Sequence, residues 1–109
     1  MSKEFYRDVL EFDVVSETEE EGGIRIAMIE KGNCVVELVQ LPQYDSYVDG
    51  FFNHLAMEVE NIEEARAWLE DKGIAFEMEE SAISNVYNGV KYLMFRGPDG
   101  ERLEIDQML

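Results

Sequence analysis

Two tetrapeptides, ELVQ at 37–40 and EIDQ at 104–107, sit at corresponding places in two stretches of similar pattern, and that duplication narrows the folds open to the chain. In each stretch an amphipathic helical segment precedes three segments with strand-like alternation, and the last of the three follows a glycine-containing turn. In the first stretch, residues 2–10 read as a helix with Phe5, Val9 and Leu10 on one stripe. Residues 12–16, 23–30 and 34–41 read as strands, with an acidic, glycine-ended turn at 19–23 and KGN at 31–33 as a hairpin turn. In the second stretch, NIEEARAWLEDKG (61–73) is predicted as a helix. Asn61 can cap it, Glu64 stands at the capping-box position, Ile62, Ala65, Trp68 and Leu69 form its buried stripe, and Gly73 ends it. Segments 74–80, 90–96 and 102–107 then read as strands, with GPDG (97–100) as the turn before the last. One more strand, 52–59, precedes this helix, and its counterpart in the first stretch would lie before Met1. The predicted organisation is a first module at 1–41, a polar linker PQYDSYVDG at 42–50 and a second module at 51–109.

A chain of 109 residues is about the size of one domain, and 46% hydrophobic residues spread along its length argue for a folded protein. The 25 acidic residues against 9 basic ones give a formal net charge of −16, which repels phosphate backbones and argues against a nucleic-acid partner. Cys34 is the only cysteine, so no internal disulfide is expected; in the apolar run CVVELV it reads as a buried structural thiol. No signal peptide or bilayer-length apolar stretch is visible, so no membrane partner and a cytoplasmic location are expected.

Side chains on a strand alternate between faces, so the neighbours of each polar residue report where it points. Val36 and Leu38 flank Glu37; Leu55, Met57 and Val59 form the apolar set that leaves His54 with Ala56 and Glu58; Leu103 and Ile105 flank Glu104. Glu37, His54 and Glu104 therefore all avoid the apolar faces, and the duplication makes the two glutamates equivalent. If the modules share a cleft, one imidazole and two carboxylates suit a divalent ion such as Zn, Ni, Co, Mn or Fe. Ordinary half-buried strands also carry carboxylates on their wet side, and a lone histidine is commonly satisfied by a hydrogen bond, so both readings stand on the pattern alone.

SKEFYRDVLEFDVV, VVELVQLP, NHLAMEVENIEEARAWLEDKGI and YLMFRGPDGERLEIDQ, in that order, resemble the vicinal oxygen chelate superfamily, which includes glyoxalase I, bleomycin-resistance proteins and extradiol dioxygenases. The resemblance covers nearly the whole chain. It implies an α+β fold of paired βαβββ modules curved into an open barrel, here with the first module lacking its N-terminal strand. Carried over by position, it implies Glu37, His54 and Glu104 as metal ligands, with Glu104 doubling as the catalytic base; the first ligand of the usual set has no counterpart. It further implies a glyoxalase I-like lyase or isomerase acting on a small oxygen-chelating substrate through an enediolate. The other implied reading is a non-catalytic, bleomycin resistance-like binding protein, whose cleft Phe51, Phe52, Tyr44, Tyr47 and Tyr87 could line. Extradiol dioxygenase chemistry fits less well, because an iron site of two histidines and a carboxylate needs one histidine more than the chain has. An unpaired strand edge in the first module leads us to expect a homodimer, formed by edge pairing or strand exchange.

Overall fold

The computed structural model describes residues 1–42, 49–51, 53–82 and 88–109, and the backbone of residue 83. The fold is α+β, with two open sheets in two compact units, Met1–Ser46 and Tyr47–Leu109.

The first unit opens on α1 (Ser2–Asp8), followed by β1 (Asp13–Glu20), a 3-10 turn (Glu21–Gly23), β2 (Ile24–Lys31) and β3 (Cys34–Gln40). The strands form an antiparallel meander in the order β1-β2-β3. Tyr6, Leu10, Phe12 and Ile29 make its buried core, and the Tyr6 ring meets Phe12 edge-on at 5.9 Å between centroids. The helix is shorter than its sequence pattern predicts, and Tyr6 is buried where Phe5 was expected. Glu11 causes the early stop: its φ of 63° turns the chain back, and Phe12 N–H closes the reversal on Tyr6 O at 2.9 Å. Cys34 corrects a second expectation, since it starts β3 beside the hairpin turn, opposite Lys31, and is exposed.

The second unit runs β4 (Leu55–Glu58), α2 (Ile62–Asp71), β5 (Ser81–Ile83), β6 (Val90–Arg96) and β7 (Arg102–Met108), a βαβββ order. Its sheet order is β4-β7-β6-β5, with β4 parallel to β7 and the other pairs antiparallel. Leu93, Phe95, Leu103 and Ile105 are buried on one face, together with Ile62 and Leu69 of α2. α2 is capped as its sequence predicts: Asn61 Oδ1 accepts Glu64 N–H at 3.0 Å. Trp68, expected in the core, is 42% exposed, with Lys72 Nζ 4.7 Å from its ring centre. At about 100° per residue, Trp68 lies off the line joining Ile62 to Leu69, and the helix buries only that narrow line.

The strand expected at 74–80 does not form. That segment contributes a single bridge, Phe76 to Phe95, and the edge strand is Ser81–Ile83. After Gly73, with φ of 88°, Ile74 N–H is still bonded back to Leu69 O; Phe76 and Glu77 then meet β6, with Glu77 N–H bonded to Met94 O at 2.9 Å, and regular pairing starts only at Ser81.

The duplication is visible in the registers. Glu37 pairs with Met28 across β2 and β3, and Glu104 pairs with Met94 across β6 and β7; one step along, Val36 pairs with Ile29 and Leu103 with Phe95. Ile29 and Phe95 are both fully buried, so each unit centres its core on the same register position.

Candidate functional site

β7 alternates strictly. Leu103 and Ile105 are buried, so Arg102, Glu104 and Asp106 lie on the opposite face of the sheet. The parallel register of β4 sets Ala56 against Glu104 and Glu58 against Asp106, and His54 stands one residue before β4 begins. That placement brings His54 Nε2 to 2.8 Å from Glu104 Oε2. His54 is partly exposed and Glu104 is largely covered, with side chains 30% and 12% accessible.

Glu104 holds its proton more tightly than an ordinary carboxylic acid. Burial is the largest cause, and the negative charge of Asp106 adds to it, whereas the charge and hydrogen bond of His54 work the other way. Asp106 is raised in the same direction by burial, and its Oδ1 is buried without a hydrogen-bond partner.

The histidine ring is gripped on its other side as well. Nδ1 lies 3.0 Å from Asn53 Oδ1, and that oxygen accepts a hydrogen bond from Arg102 Nη1 at 3.2 Å. Arg102 and its cross-strand neighbour Arg96 share Glu77, whose Oε1 lies 3.5 Å from Arg102 Nε and 3.2 Å from Arg96 Nε. Arg96 also pairs with both carboxylate oxygens of Asp49, at 2.7 and 3.1 Å.

Of the three residues singled out by sequence, His54 and Glu104 are therefore in contact. Glu37 lies in the first unit, on the exposed side of β3 between Val36 and Leu38, at the register position equivalent to Glu104. The partners Asn53, Arg102 and Asp106 were not anticipated. Strand parity offered a signal for Arg102 and Asp106, each two residues from Glu104; nothing short of coordinates shows that Asn53 turns its amide between a guanidinium and an imidazole. Of the aromatic residues expected at a ligand cleft, Phe51 is fully exposed, and Phe52, Tyr44, Tyr47 and Tyr87 lie outside the described residues.

The 2.8 Å between His54 Nε2 and Glu104 Oε2 is a direct hydrogen-bond contact, and an imidazole beside a carboxylate is a donor set that divalent ions accept. Among the described residues no three His, Cys, Asp or Glu side chains gather as a ready cluster.

A sequence model of the Glyoxalase/Bleomycin resistance protein/Dioxygenase superfamily matches residues 1–105. No curated protein matches the chain. Among solved structures, a glyoxalase family protein from Enterococcus faecalis superposes with a TM-score of 0.80 at 30% identity, covering 96% of this chain and 85% of the other. The trypanothione-dependent glyoxalase I of Leishmania major gives a TM-score of 0.75 at 23% identity, covering 95% and 74%. An antibiotic-binding protein from Streptomyces gives 0.71 at 19% identity, covering 99% and 84%.

Proposed function

The chain belongs to the Glyoxalase/Bleomycin resistance protein/Dioxygenase superfamily, and from that premise we propose that it is a glyoxalase I-like, metal-dependent lyase or isomerase of a small oxygen-chelating substrate. The observation that carries this reading is the 2.8 Å approach of His54 Nε2 to Glu104 Oε2 on the face of the sheet away from its core. His54 and Glu104 would hold the ion. Imidazole with carboxylates accommodates Zn, Ni, Co, Mn or Fe. When bound, such an ion supplies Lewis acidity toward two neighbouring substrate oxygens.

Glu104 has the further role of base. Burial raises its affinity for a proton, which moves the carboxylate toward the strength needed to take one from a carbon beside a carbonyl. His54 orients it through the Nε2 contact, and Asp106 adds to the burial effect by placing a second negative charge on the same face.

The test is turnover of the hemithioacetals that 2-oxoaldehydes form with thiols, using metal-replete protein. Glu104→Gln is expected to lower the rate by about 10²–10⁴-fold, the usual worth of a positioned base. A wild type that turns over none of these adducts would overturn the enzymatic reading. A non-catalytic binding protein, the reading favoured by the likeness to the Streptomyces antibiotic-binding protein, would then account for the fold.

The proposal extends to assembly. Among the described residues β3 pairs only with β2, whereas its counterpart β7 carries β4 on its second edge. We therefore propose a homodimer in which an edge of the first unit is covered by the second copy.

A further inference from the structure

We infer that Arg102 and Asn53 are positioning residues that fix the tautomer of His54, so that Nδ1 carries the proton and Nε2 presents a lone pair toward Glu104. The argument follows hydrogen-bond polarity outward from the one group that has no choice. A guanidinium only donates, so the Asn53 atom 3.2 Å from Arg102 Nη1 has to be the carbonyl oxygen. That same oxygen lies 3.0 Å from His54 Nδ1. An amide oxygen can accept twice and cannot donate, so Nδ1 must be the donor. Turning the Asn53 amide over would set its NH₂ group against the guanidinium, donor against donor. Arg102 is itself restrained by Glu77, which it shares with Arg96, and Arg96 is clamped by Asp49.

Without this frame the preference would reverse. A neutral imidazole beside a carboxylate gains most by donating Nε2–H to it, and Glu104 Oε2 is 2.8 Å away. With Nδ1–H committed to Asn53, a neutral ring turns its Nε2 lone pair toward Oε2, and a 2.8 Å contact then needs a positive charge between the two atoms. That arrangement is completed by a cation, either a proton or a divalent metal. Fixing the outer nitrogen of a histidine in this way also stiffens the ring and makes its inner nitrogen a better ligand.

The inference rests on the metal reading for its purpose, but its test needs no metal. His54 is the only histidine, so a long-range ¹H–¹⁵N correlation on the ¹⁵N-labelled full chain, metal-free and with the ring neutral, reads one imidazole. The wild type is expected to show Nδ1–H and a bare Nε2. Asn53→Leu is expected to move the ring to Nε2–H, Asn53→Asp to keep Nδ1–H, and Arg102→Met to populate both tautomers. An Nε2–H wild type, or an Asn53→Leu spectrum identical to the wild type, would overturn the inference. Should Asn53→Leu fail to fold, an Arg102→Met ring that stays wholly Nδ1–H would overturn it equally. Zn²⁺ titration separates this inference from the reading it serves: Asn53→Leu is expected to bind about 10–100-fold more weakly. A wild type with the Nδ1–H ring and no Zn²⁺ uptake would uphold the tautomer lock and sink the metal.

Discussion

At the scale of residues, the face that carries His54 and Glu104 is held at a cost in stability, and Asp106 shows it most plainly. Its carboxylate is partly buried, one oxygen has no hydrogen-bond partner, and burial raises its proton affinity. A carboxyl whose folded pKa is raised contributes stability below its unfolded pKa and loses that contribution as pH rises through the folded value. Asp106→Asn is therefore expected to be more stable than the wild type at pH 7, by on the order of 1 kcal/mol. Urea denaturation across pH checks the sign, because the advantage should shrink toward acid, where Asp106 is protonated and neutral like asparagine. The site was legible only in part at this scale. Alternation alone placed His54 and Glu104 on the polar face, since each sits among apolar residues of opposite parity. Asn53 was invisible because its role depends on the direction of one amide group. Cys34 misled because an apolar run reads as buried, whereas in β3 its end beside the turn is open to solvent.

At the scale of elements, β7 links the chemistry to the core. Its Glu104 meets His54, its Leu103 and Ile105 are in the core, and its Gln107 Oε1 accepts the N–H of Ile62 at 2.8 Å, a second cap on the start of α2. The first N–H groups of a helix have no partner within it, so losing this acceptor leaves a part-buried donor unpaired. Gln107→Ala is expected to cost about 1 kcal/mol, the usual loss for a helix cap, seen as a lower denaturation midpoint with unchanged slope. α2, β6 and the hairpin turn at Gly32 were readable because caps, alternation and glycine act locally. The segment 74–80 was not, because its alternation is real but its direction is set by distant partners: Phe76 against Phe95, and Glu77 against Arg96 and Arg102. Trp68 misled for a related reason, as the width of the buried stripe depends on the sheet beneath α2 and not on the helix alone.

At the scale of the molecule, the internal duplication organises the rest, and matching Glu–Met registers in the two sheets are its clearest trace. The family and the α+β architecture could be read from sequence because the repeated pattern and the turn glycines extend over nearly the whole length. The described residues include no helix long and apolar enough to cross a membrane. Sedimentation equilibrium at micromolar concentration is expected to show a dimer, and a stable monomer would contradict the proposed covering of the β3 edge. Most direct of all is the divalent metal content of protein purified without chelators, compared with that of His54→Ala. Roughly one ion per chain in the wild type, lost in the variant, is the predicted result. A wild type that carries none and takes up none from zinc or nickel solutions, or a variant that keeps its metal, would contradict the claim that His54 and Glu104 grip a shared cation.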